Sequence, residues 1–299
     1  MRYLKAAVCV VAVYTVFTVF TGYAFADDRE DALVAAAASG DIAKVRWYVG
    51  EVVNVNCRDQ NDQTPLIAAV KNGREDVVKY LLMNFASVNL DDNNNMSPLM
   101  FAAKNGNAAI TGDLLSAGAN VNAQDVQGYS SLMFASEGGY TETVKILLSR
   151  GADPNERCNT TDTALTLAIA GKNKEIVRIL LDKGADPNTK LTEGTFYGRH
   201  GDRGGLDGIT ALMRAAQAGD PDIAQILLDK GADVNAVTTL NNTALMYSVE
   251  SGHYDIAKML VNKGADVNIK DWTGKSAYMM LNKDAAPDLA DMMVNAGAK

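Results

Sequence analysis

Apolar positions recur along this chain with a long, fixed step. Leu33, Leu66, Leu99, Leu132 and Leu165 stand 33 residues apart, and Leu212, Leu245 and Tyr278 resume the same spacing. One interval, from Leu165 to Leu212, is fourteen residues longer. Before each key residue from Leu66 on stands a hydroxyl followed by Pro, Ala or Ser, as in Thr64-Pro65, Ser97-Pro98, Ser130-Ser131 and Thr210-Ala211. The hydroxyl oxygen accepts from an orphan N–H, and Pro is tolerated at the first helical position, so a helix starts there. Gly40, Gly73, Gly106, Gly139, Gly219 and Gly252 then end it, because glycine takes the left-handed conformation that closes a helix. A second apolar-periodic run follows, as in "EDVVKYLL", "TETVKILL" and "PDIAQILL", closing at Gly118, Gly151, Gly184, Gly231, Gly264 and Gly297. Asparagine comes four residues later, at Asn122, Asn155, Asn188, Asn235 and Asn268, where a turn is expected. Each unit is therefore a short helix, a tight turn, a second helix and an extended turn. One such pair cannot bury both its faces, but stacked neighbours can.

The helical wheel assigns the faces. Three, four and seven residues after each key leucine the chain carries small residues, such as Ala102-Ala103, Ala135-Ser136 and Ala215-Ala216. They lie on the packed side and let helices approach closely. Two residues after the key position stand Phe101, Phe134, Leu167, Arg214 and Tyr247, pointing the opposite way. For Phe101, Phe134 and Leu167 two readings stand: packing against their equivalents in the next unit, or contact with a partner. The turn tips vary as well, and their aromatics Tyr129 and Trp272 are contact candidates, since aromatics dominate interface hot spots.

"DQNDQTPLIAAVKNGREDVVKYLL" and "KGADVNIKDWTGKSA" resemble ankyrin repeats, and the resemblance runs from about residue 29 to the end. It implies an all-α ankyrin-repeat solenoid of about eight helix-turn-helix units with short β-hairpin-like turns. The units fall at roughly 27–58, 59–91, 92–124, 125–157, 158–190, 205–237, 238–270 and 271–299, with an insertion at 191–204. It also implies that the second-position residues and the turn tips form a concave surface that binds another protein. The chain departs from the family in places. Met100, Met133, Met213 and Met246 replace the histidine that usually follows Thr-Pro-Leu, which puts polar linking of adjacent turns in doubt. Phe85 and Lys172 replace helix-ending glycines, and the first and last units are irregular, as end caps are.

The insertion reads "LTEGTFYGRHGDRG". Phe196 and Tyr197 offer apolar area, and Arg199, His200 and Arg203 offer charge-assisted bonds. Both flanking units keep their full pattern, so the fold did not require it. It is expected to form part of the partner site with Leu167 and Arg214, the alternative being an idle loop.

Charge and composition narrow the function. The 299 residues are 47% hydrophobic and carry a net charge of −8. That balance supports a buried core and disfavours nucleic-acid binding, which needs a basic surface. The first 26 residues hold Arg2 and Lys5, then an uncharged run from Ala6, then Ala24-Phe25-Ala26 before Asp27-Asp28. This order matches a cleavable signal peptide over 1–26. The 21 uncharged residues are also long enough for an uncleaved anchor. Either way the expected location is periplasmic or secreted, in a bacterium. Cys9 would leave with the signal. Cys57 and Cys158 fall three units apart, roughly 25–30 Å at ordinary layer spacing, so no intramolecular disulfide is expected.

No catalytic motif occurs: no Gly-x-Ser-x-Gly, phosphate loop, His-Glu-x-x-His or Cys-x-x-Cys. His253 in "SGHYDIA" reads as scaffold. His200 with Asp202 is too small a set for zinc, which takes three or four protein ligands. No metal or cofactor is expected. The sequence thus predicts an exported, non-catalytic, monomeric scaffold for an unidentified protein partner, with a secreted effector or a toxin- or enzyme-neutralising inhibitor as the alternative.

Overall fold

The computed structural model describes residues 28–51, 53–191 and 208–299. The chain divides into two compact units, Met1–Val126 and Gln127–Lys299, a division that falls inside the repeat predicted at 125–157. Sixteen helices occur among the described residues. The first unit holds α1 (28–39), α2 (Ile42–Gly50), α3 (Pro65–Lys71), α4 (Glu75–Met83), α5 (Pro98–Lys104) and α6 (Ala108–Ser116). The second holds α7 (Ser131–Glu137), α8 (Thr141–Ser149), α9 (Ala164–Ala170), α10 (Lys174–Asp182), α11 (Ala211–Ala218) and α12 (Pro221–Asp229). It continues with α13 (Ala244–Glu250), α14 (Tyr254–Asn262), α15 (Ala277–Met280) and α16 (Pro287–Asn295).

Local sequence sets most of these helices as expected, but the hydroxyls of Ser130 and Ser276, at the same position, make no cap bond. Thr64, Ser97, Thr163, Thr210 and Thr243 accept from the backbone N–H three residues on. The methionines that stand in for histidine also serve the cap: Met100 Sδ accepts from Ser97 N at 3.5 Å and Met213 Sδ from Thr210 N at 3.4 Å. The key leucines from Leu33 to Leu245 are all buried, each worth about 2 kcal/mol relative to exposure. Tyr278, in the last unit, is half-buried under Lys283. Like helices stack on like. In the first unit α3 packs on α5, with α2, α4 and α6 in a second row. In the second unit α7, α9, α11, α13 and α15 pack in order, and α8, α10, α12, α14 and α16 form the row behind.

The stacking has a polar seam that the wheel does not reveal. Asn155 donates to Gly184 O at 2.9 Å and accepts from Asp186 N at 2.8 Å, one repeat on. Asp186 in turn accepts from Asn188 N, and Asn188 reaches Gly231 O and Asp233 N. Asn235 and Asn268 continue the ladder to Gly297 O and Lys299 N. In the first unit Asn89 makes the same pair of bonds with Gly118 O and Asn120 N. Asparagine suits the place because its amide carries a donor and an acceptor side by side. These bonds, not a histidine, link adjacent turns, and the aspartates of "GAD" shape the turns for them. Arg74, Asn107, Asn173 and His253 lie against Gly40, Gly73, Gly139 and Gly219 of the preceding repeat. That contact gives His253 a packing role and leaves no room for a side chain on Gly219.

Candidate functional site

The insertion leaves the scaffold at one point. Leu191 and Ile209 form an antiparallel bridge, with Leu191 N donating to Ile209 O at 2.9 Å and Gly208 N to Leu191 O at 2.7 Å. Elsewhere the same tip bond closes across four residues, as from Cys158 N to Asp162 O and Thr238 N to Asn242 O. Leu191 thus occupies the first arm of a turn and is buried. The extra chain therefore begins after it, one residue later than the predicted boundary. Asn188, just before, keeps both its bonds to the next repeat, now 43 and 45 residues away instead of 29 and 31. Phe196, Tyr197, Arg199, His200 and Arg203 lie outside the described residues, as does the predicted signal segment 1–26.

The second-position residues have unequal exposure. In the second unit Phe134 is half-buried, with its ring 5.2 Å from that of Tyr129. Leu167 and Tyr247 are each only 8% exposed, and burial pushes the Tyr247 phenol up. These two present little area; what they chiefly do is pack. Arg214 is half-buried and held in place, its Nη2 3.3 Å from Asp162 Oδ1. Asp162 is itself buried and accepts from Thr166 Oγ1 at 3.0 Å and Thr160 Oγ1 at 3.2 Å. A turn-tip carboxylate of one repeat therefore positions the cation of the next. Nothing in the sequence paired Asp162 with Arg214, because the insertion separates their repeats. Trp272 is 71% exposed, its backbone N–H bonded to Leu240 O of the preceding tip. That bond fixes the tip and leaves the indole outward.

In the first unit Phe101 is half-buried under Lys71 Nζ, 5.0 Å from the ring centroid. The preceding second positions are Ala35 and Ala68, and here an open recess of about 400 Å³ appears. No described group of three or more His, Cys, Asp or Glu side chains is placed to hold a metal. Cys57 and Cys158 are free and buried. Burial, then the nearby Glu30, Asp31 and Asp59 carboxylates, push the Cys57 thiol up to about 12, which leaves it a poor nucleophile. No helix among the described residues is long and apolar enough to cross a membrane.

The family model described as "Ankyrin repeats (3 copies)" matches residues 33–125, 113–190 and 195–271. Among solved structures, the ankyrin repeat domain of Bcl-3, described as a unique member of the IkappaB protein family, is similar at 24% identity. The TM-score is 0.68, with 79% of this chain and 100% of that chain covered. That likeness concerns the fold. No curated protein matches the chain.

Proposed function

We propose, for a chain that belongs to the ankyrin-repeat family, that it is an exported scaffold which binds another protein without turning it over. Ankyrin repeats are general protein-interaction scaffolds, and the fold itself names no ligand. The observation that carries the reading is the insertion. The seam at Asn188 and the bridge at Leu191 and Ile209 keep the repeat register, so the loop adds aromatic and basic side chains without disturbing the stack. Its partner site would take in Phe196, Tyr197, Arg199, His200 and Arg203, with Arg214, Tyr129 and Trp272 on the same family of positions. Export rests on the arrangement of residues 1–26.

The test removes Thr192 to Gly205, fourteen residues, so that the step between Leu165 and Leu212 returns to 33. The cut spares Leu191, which holds the first arm of the turn, and joins it directly to Leu206. Shortening a turn changes closure entropy by only about 1 kcal/mol, so melting should move little. Pull-down from envelope extract, with mass spectrometry, should lose the partner that the full chain captures. Equal capture by the shortened chain would place the site away from the loop. N-terminal sequencing of extracted protein should read from Asp27, and an intact Met1 on membrane-bound material would mean an anchor.

A further inference from the structure

We infer that the recess in the first unit is a pocket for a basic side chain, an arginine or lysine, of the protein partner. This rests on the protein-binding reading above and specifies the partner's chemistry at one point of that surface. Elsewhere the position two residues after the key leucine carries Phe101, Phe134, Leu167, Arg214 or Tyr247, and Met280 follows Tyr278 at the same step. In the first two repeats it carries Ala35 and Ala68, and the missing bulk leaves the recess open. Val34, Ala35, Ala38 and Ala68 give its lining an apolar part, and Asp31 and Asp59 line it together with Gln60, Asn61 and Gln63. Glu30 joins them in a smaller adjoining hollow of about 230 Å³.

The charge around the recess is one-sided. Asp59 spends one oxygen on its own turn, accepting from Asn61 N and Gln63 N through Oδ1. Asp31 accepts from the neutral Gln60 amide, at 3.2 Å. Arg58, the cation of the adjoining hollow, is turned to Asp62 Oδ2 at 2.7 Å and to Asp91 O at 2.8 Å. Lys71, beyond Gln63, sits over the Phe101 ring. Carboxylates and apolar side chains thus share the lining, and among its described lining residues the recess itself has no cation. An arginine or lysine matches both halves, since its methylene stem covers apolar surface while its head meets carboxylate. Arginine matches best, because its fork pairs with carboxylate oxygens geometrically.

Two blocked pentapeptides serve as probes, Ac-Gly-Gly-Arg-Gly-Gly-NH2 and its isosteric, uncharged citrulline counterpart. They are titrated into the full-length chain carrying ¹³C-labelled alanine methyls. The arginine peptide should shift Ala35, Ala38 and Ala68, and the citrulline peptide should bind roughly tenfold more weakly. Raising NaCl from about 50 to about 500 mM should weaken the arginine peptide and leave the other nearly unchanged. Asp31→Asn should cost roughly fivefold or more with melting unaltered. Ala35→Phe, which copies the residue at 101 and 134, should fill the recess and abolish the shifts. Equal binding of the two peptides, shifts elsewhere or none, or an unaffected Asp31→Asn would each overturn the assignment. A partner still captured in the pull-down after such a result would leave the scaffold reading standing. Arginine binding with no captured protein would sink that reading and keep the pocket.

Discussion

The two units of this protein fill one repeat position differently. In the first, Ala35 and Ala68 leave an open, acid-lined recess, and Phe101 alone fills the position. In the second, Phe134, Leu167, Arg214 and Tyr247 fill the same position, and Arg214 is locked by a buried aspartate. The helices carrying these residues are alike: Thr64 caps α3 as Thr210 caps α11, and Leu66 is buried as Leu212 is. The scaffold is therefore indifferent to the second position. Side-chain size and charge there decide whether a repeat offers a hollow, a packed surface or a fixed cation.

The sharpest way to break this contrast is at its two acidic residues. Asp162→Ala should destabilise the second unit by about 2–3 kcal/mol, because the half-buried Arg214 loses the Asp162 carboxylate and Thr166 loses one acceptor. Asp31→Asn should leave chemical denaturation unchanged within about 0.5 kcal/mol. If both behave alike, Asp31 is structural and the recess is not a free surface.

The seam should be equal wherever it occurs. Asn155→Ala loses two inter-repeat bonds and should cost about 1–2 kcal/mol at so exposed a position. Asn188→Ala, beside the insertion, should cost the same in urea unfolding. A much smaller loss at Asn188 would mean that the long loop relaxes the stack locally.

Each unit also places a non-glycine where the others have glycine. Phe85 has φ +64° and is 89% exposed, while Lys172 has φ +54°. Glycine at the equivalents of Phe85, such as Gly118 and Gly151, has open space around it, so strain is the only structural penalty there. Phe85→Gly and Lys172→Gly should each raise stability by up to about 1 kcal/mol, seen as a higher Tm. Loss of stability on Phe85→Gly would show that the ring packs in solution.

The smallest effect concerns Glu156. Its Oε2 is buried without a hydrogen-bond partner, and burial raises its carboxyl above the usual range. The folded state therefore binds this proton more tightly than the unfolded chain. Its favourable contribution is full below the ordinary carboxylate range near about 4.3 and is lost as pH rises through the raised value. Glu156→Gln should accordingly gain roughly a few tenths of a kcal/mol at neutral pH and nothing in mild acid, below that range. An equal gain at both pH values would point to a cause other than charge.

Much of the scaffold was legible in the chain. Caps, buried leucines and helix ends follow from local chemistry repeated every 33 residues, and the insertion was visible as a break in that count. The site was less legible. On the wheel Leu167 and Tyr247 point outward, yet both are nearly covered, because a wheel gives the direction of a side chain and not the size of its neighbour. In sequence, Asn155 and its equivalents signal only the start of a turn. Their second role, reaching a carbonyl and an amide one repeat on, has no local signature.

What the sequence by itself determined is the unit: two helices, their caps, their phase and the interval where fourteen residues were added. Those properties depend on contacts within a few residues, and repetition makes them unmistakable. Tertiary structure alone decided which outward positions are open, that Asp162 holds Arg214, that Leu191 belongs to the turn rather than to the loop, and that alanines at 35 and 68 make a hollow rather than a gap in the packing. Each of these depends on what the adjacent repeat sets opposite, and burial and pairing belong to two repeats at once.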